Sequence, residues 1–147
     1  MSVREDLQKQ FRQQQEKFIY YLLALSVTAI GFAIHKTTGL KLQFSQIPVG
    51  IAVFSWAISV YCGLMFLKYV IATLFVNEVY FQILEGDHPQ FGNHIQKQEI
   101  GLNSAKEAMK SNSDKAEKLA KWQGRLFLIG MCSFIVWHVT EMILIQK

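Results

Sequence analysis

Proline is nearly absent from this chain, with two in 147 residues, so little can break a helix from within. One of the two, Pro48, stands at the head of a long apolar run, where a helix tolerates proline best. The two cysteines, Cys62 and Cys132, each fall in the middle of an apolar segment; they read as reduced packing residues and say little about redox compartment. CxxC and HExxH spacings are missing, and so are a phosphate-binding glycine loop and a GxSxG elbow. Without a pair of carboxylates placed for acid–base work either, no catalytic residue, cofactor or metal is expected. The most telling absence is of charge, which is missing from three long stretches.

Those stretches account for much of the 51% of the chain that is apolar. The longest, Ile47 to Leu67, is free of charge, and after Lys68 it continues as a mostly apolar segment to Leu84. A helix rises about 1.5 Å per residue and hydrocarbon is about 30 Å thick, so roughly 20 apolar residues suffice to cross a bilayer. The run therefore predicts a span over 47–84 that continues beyond the headgroups, because no glycine or proline after Lys68 stops it.

Residues 18–36 form a shorter first span, anchored by Tyr20 and Tyr21 at one end and by His35 and Lys36 at the other. The short connection to residue 47 makes spans one and two an antiparallel hairpin. Ahead of them, residues 1–17 are polar and glutamine-rich, with Val3, Leu7 and Phe11 on a narrow stripe that suits an interfacial or contact helix. A secretory signal fits poorly, since Glu5, Asp6 and Glu16 lie among the bases. After Leu84 the segment EGDHPQFGNH marks a break, and residues 85–113 form a turn and a short helix that ends at Ser111-Asn112-Ser113. Asp114 and Glu117 then have capping-box spacing and start a third helix over 114–145, polar first and spanning afterwards.

Positive charge sets the orientation. Arg4, Lys9, Arg12 and Lys17 lie before the first span; Lys97, Lys106, Lys110, Lys115, Lys118, Lys121 and Arg125 lie before the third. The opposite side has Lys36, Lys41 and Lys147, so the amino terminus is expected inside and the carboxyl terminus outside. The net charge of +4 then reflects topology, and no nucleic-acid partner is expected: acids interrupt the lysines and no aromatics alternate with them.

Three sets of residues stand out. Ser55, Ser59 and Gly63 recur every four residues and form a small face for close helix packing, within the chain or between chains. His138 and Glu141 are ionisable groups in the third span, one turn apart; they suit a proton or ion path, or Glu141 simply reaches the outer headgroups. Lys68 and Arg125 adjoin the inner ends of their spans as snorkelling anchors. Asp87, His88, His94 and Glu99 are potential metal ligands, but their spacing matches no compact zinc signature, and a turn with exposed histidines is the simpler reading.

The expected fold is all-α: a multi-pass membrane protein with three transmembrane helices and a cytoplasmic helical extension. In size and arrangement this layout looks like the small multi-pass effectors of prokaryotic antiviral defence systems, which act by oligomerising in the membrane. The resemblance implies an inner-membrane protein whose partners are the bilayer and further copies of itself. Two functions follow: a pore or membrane-perturbing effector that alters permeability, with Ser55, Ser59, Ser133, Thr140 and Glu141 along its path, or an anchored adaptor whose cytoplasmic helices recruit a soluble partner. A reporter fused after Lys147 should behave as extracytoplasmic; a cytoplasmic signal from that fusion would overturn the orientation.

Overall fold

A computed structural model describes residues 3–39, 44–86 and 95–145, and among them there are helices but no strands. Helix α1 is Val3–Thr37; a 3-10 turn at Phe44–Gln46 leads into α2, Ile47–Glu85; and α3 is Ile95–Ile145. All three helices are long and apolar enough to cross a membrane.

The helices start and stop for local reasons. Pro48 lies in the first turn of α2 as expected. At the end of α1 the amide of Thr38 donates to Ile34 O at 3.0 Å, the Thr37 and Thr38 hydroxyls donate to Ala33 O and Ile34 O, and Gly39 adopts φ 84°. Gly86, with φ 79°, closes α2 and donates its amide to Ile83 O. A left-handed residue just past a helix is conformationally cheap only for glycine, so both exits are written in the sequence.

Two expected boundaries are corrected. Residues 111–113 do not interrupt a helix, and Asp114 does not begin one, because α3 runs unbroken for 51 residues. Serine and asparagine cost at most about 0.7 kcal/mol each relative to alanine inside a helix, and unlike proline they keep their amide donors. The lysines, glutamates and alanines around them outweigh that cost. Likewise, the amino-terminal block is not a separate helix but the opening turns of α1, since nothing between Glu16 and Tyr21 breaks the pattern.

The chain divides into two compact units, to which α2 and α3 each contribute one part. The first comprises 1–63 and 120–147, and holds α1, the beginning of α2 and the end of α3. Here Leu23 lies beside Gly63, while Ala33 packs with Val49 and Ala52, so α1 and α2 are antiparallel as the short connection required. Gln123 meets Ser59 and Trp137 joins the Val49–Ala52 end, so α3 is antiparallel to α2 as well. The core is aromatic: the Phe134 ring stands 5.8 Å from Trp56, 5.4 Å from Trp137 and 6.0 Å from Phe32. Such tilted and edge-on pairs are favourable beyond the area they bury.

The second unit, Leu64–Leu119, pairs the rest of α2 with the beginning of α3. Lys115 lies over the Tyr69 ring at 5.6 Å and Lys106 over Tyr80 at 5.8 Å, contacts that run in opposite directions along the two helices. Small residues on α3, Gly101, Ala105 and Ala116, are buried here, as are Phe66 and Ile83 on α2.

Glycine positions give the packing a direct test. A Cβ on Gly130 would come within 2.5 Å of Trp56 Nε1, whereas one on Gly124 would meet nothing within 4 Å. Gly130→Ala should therefore destabilise the detergent-solubilised protein by about 1–3 kcal/mol. Gly124→Ala should stabilise it by up to about 1 kcal/mol through helix propensity. Equal unfolding midpoints for these two variants would refute the close approach of α2 and α3.

Candidate functional site

Ser59 and Gly63 lie one turn apart on α2, and the structure places both against α3. The Ser59 hydroxyl, fully buried, donates to the main-chain carbonyl of Gln123 at 2.9 Å. A Cβ on Gly63 would stand 2.6 Å from Gln123 Nε2 and 2.7 Å from Leu23 Cδ2, so a larger residue there would have to displace the ends of both side chains. That side chain passes to α1, where Nε2 donates to Ile19 O at 3.4 Å. One glutamine thus joins three helices, accepting from α2 through its backbone and donating to α1 through its amide.

The junction is incompletely paired. Gln123 Oε1 and the Ser26 hydroxyl are both buried without a hydrogen-bond partner, as is the Trp137 indole N–H nearer the far end. By contrast Trp56 Nε1 reaches Phe127 O at 3.3 Å. Other hydroxyls turn back onto their own helices: Thr28 to Ala24 O, Thr73 to Tyr69 O and Thr140 to Val136 O, each at 2.8 Å. Back-bonding of this kind satisfies the hydroxyl's donor within its own helix.

The residues singled out from sequence are distributed as follows. Ser55, Ser59 and Gly63 are all buried, and the last two pack within the chain. His138 is exposed and Glu141 half-buried, with no hydrogen bond or ion pair between them. Lys68 is exposed, and so is Arg125, whose guanidinium lies 5.7 Å from the Trp122 ring centre. Asp87, His88 and His94 lie outside the described residues; Glu99 is exposed on α3. A shallow depression of about 360 Å³ runs along α3 beside Glu107, Lys110, Asp114 and Lys118, with both signs of charge on its walls.

Gln123 escaped sequence reasoning because it sits among lysines and resembles the other solvated residues of a polar segment. A signal was present nonetheless: Gln123, Phe127, Gly130, Phe134 and Trp137 follow at alternating spacings of four and three, the stripe by which one helix faces another. Glu141 continues this register, which explains its partial burial. No family model, curated protein or solved structure matches the chain.

Because the acceptor for Ser59 is main chain, losing the Gln123 side chain leaves it in place. Ser59→Ala should cost about 0.6 kcal/mol, and at most about 1.7, as inter-helix hydrogen bonds in membranes do. The same cost should appear in a Gln123→Leu background. A double-mutant cycle in which the Ser59 effect vanishes after Gln123→Leu would contradict the assignment.

Proposed function

We propose that this chain is a small inner-membrane protein, amino terminus in the cytoplasm, that assembles with copies of itself and alters the permeability of the membrane around the assembly. The observation that carries this reading is an unpaired apolar face on α2 in the second unit. Ile71, Leu74, Phe75, Phe81 and Leu84 are each more than half exposed, in a segment that also exposes Lys68, Asn77 and Glu78. A face bearing an ammonium and a carboxylate is poorly suited to lipid, and large aromatic and aliphatic side chains are poorly suited to water. Burial against another subunit resolves both.

Permeation in such an assembly would run between subunits rather than through one, since the Ser59 hydroxyl is spent within the chain. Hydrophobic constrictions that open by wetting conduct without a continuous polar lining. One observation favours the adaptor instead. The hydroxyls of Thr28, Ser59 and Thr140 all bond to carbonyls of the same chain and leave few polar groups to line a path.

Flux separates the two. Liposomes containing the purified protein should leak ions or small dyes, and Phe75→Glu should reduce both the oligomer mass and the leak. Tight liposomes holding an assembled, correctly inserted protein would assign the chain to the adaptor class. Ser59 substitutions are unsuited to this purpose, because they strike the bundle itself.

A further inference from the structure

A second unpaired face lies on α1. Leu7, Phe11, Gln14, Phe18, Tyr21 and Leu25 follow one another at alternating spacings of four and three residues, and every one of them is exposed. This is the heptad seam of a coiled coil, and it runs to Leu25 inside the charge-free segment; further on, Phe32 turns to Phe134 within the chain. It is distinct from the face of α1 that packs within the chain, which carries Ile19, Leu22, Ser26 and Ala33.

From Leu25 onward an exposed apolar residue needs no explanation, since lipid covers it. The polar amino-terminal turns are different, because there the seam is the one apolar face among the described side chains. Phe11 is 70% exposed and Leu7 60%, on turns whose remaining side chains are glutamines and charges. We infer that this face pairs in parallel with α1 of a second copy, through a coiled coil that begins outside the bilayer and continues into it.

Three features select a second copy as the occupant. First, copies inserted with the same topology present α1 in the same direction and at the same depth, so each seam residue meets its own counterpart. An ionised residue on such a seam would meet its like charge. None lies on it between Leu7 and Leu25: at 100° per residue Asp6, Lys9, Arg12 and Glu16 fall more than a quarter turn from its centre, and Lys17 flanks it at about 80°. Second, Gln14 is the one amide on the seam. A primary amide both donates and accepts, so two copies of Gln14 can pair with each other across the seam, which favours the in-register parallel arrangement. Third, the exposed area is adequate. Three aromatic and two leucine side chains at 53–70% exposure offer on the order of 600 Å² per copy, against roughly 800 Å² per partner in a standard interface. Beside the seam, Gly31 has open space where a Cβ would be, which allows the helices to approach within the membrane.

Sustained over these turns, a 3.5-residue period also imposes a left-handed supercoil on the paired helices. This interface stands apart from the question of permeability. It holds for a conducting assembly and for an adaptor alike.

Disulfide mapping in native membranes tests it on the full chain, with Cys62→Ala and Cys132→Ala removing the native thiols. Single replacements Phe11→Cys, Gln14→Cys and Phe18→Cys should give covalent dimers on mild oxidation, and Arg12→Cys and Gln13→Cys should not. Equal yields at all five positions, or dimers at none, would overturn the parallel seam. A second measurement leaves the native cysteines in place: Phe11→Glu should weaken self-association more than ~10-fold in mild detergent, since each introduced carboxylate would face its like charge across the seam. Arg12→Glu, off the seam, should leave it unchanged; equal effects of the two would also count against the seam. The two proposals fail separately. Position-independent cross-links with a Phe75-dependent leak would sink the α1 seam alone, and seam-specific cross-links in tight liposomes would sink the permeability reading alone.

Discussion

Helices surrounded by hydrocarbon gain little by hiding apolar surface from one another, so a membrane bundle depends on how closely its backbones can approach and on the polar contacts that closeness permits. In this chain the approach is set by two glycines. Gly63 on α2 makes room for the Gln123 side chain, and Gly130 on α3 makes room for the Trp56 ring. With those two gaps filled, Ser59 reaches the Gln123 carbonyl, Trp56 reaches the Phe127 carbonyl, and Gln123 reaches across to Ile19. The remaining packing, from Phe32 through Phe134 to Trp137, extends from these contacts.

That arrangement has a consequence for the surface. It uses Ser59, Gly63, Gln123 and Gly130 inside one chain and leaves many large apolar side chains facing outward. In the charge-free segments lipid covers them. Along the amino-terminal turns of α1 and the later part of α2 the same kind of surface is interleaved with charges and amides, and it calls for protein.

Much of the fold was legible in the sequence because the physics that specifies it is one-dimensional. Charge-free runs long enough to cross a bilayer, Pro48 in a first turn and the break after Leu84 each act locally, and each has its expected counterpart in the structure, where α2 ends at Glu85 and Gly86 turns left-handed. The boundary expected at 111–113 is absent because serine and asparagine are weak helix formers that keep their amide donors, and α3 runs through them. The junction was less legible. Ser59 and Gly63 declared themselves by spacing, but their partner Gln123 lies 60 or more residues away in a lysine-rich segment and carries no local mark. What makes it a core residue is the glycine opposite, a relation between helices that no single stretch of sequence contains.

Everything proposed for this molecule beyond its fold turns on whether copies of it associate in a bilayer. Counting subunits by stepwise photobleaching of a carboxyl-terminal fluorophore, in native-membrane nanodiscs from cells expressing the protein at low level, measures this without detergent. Multi-step traces that retain their step number on further dilution are the predicted result, and single-step traces throughout would contradict the account.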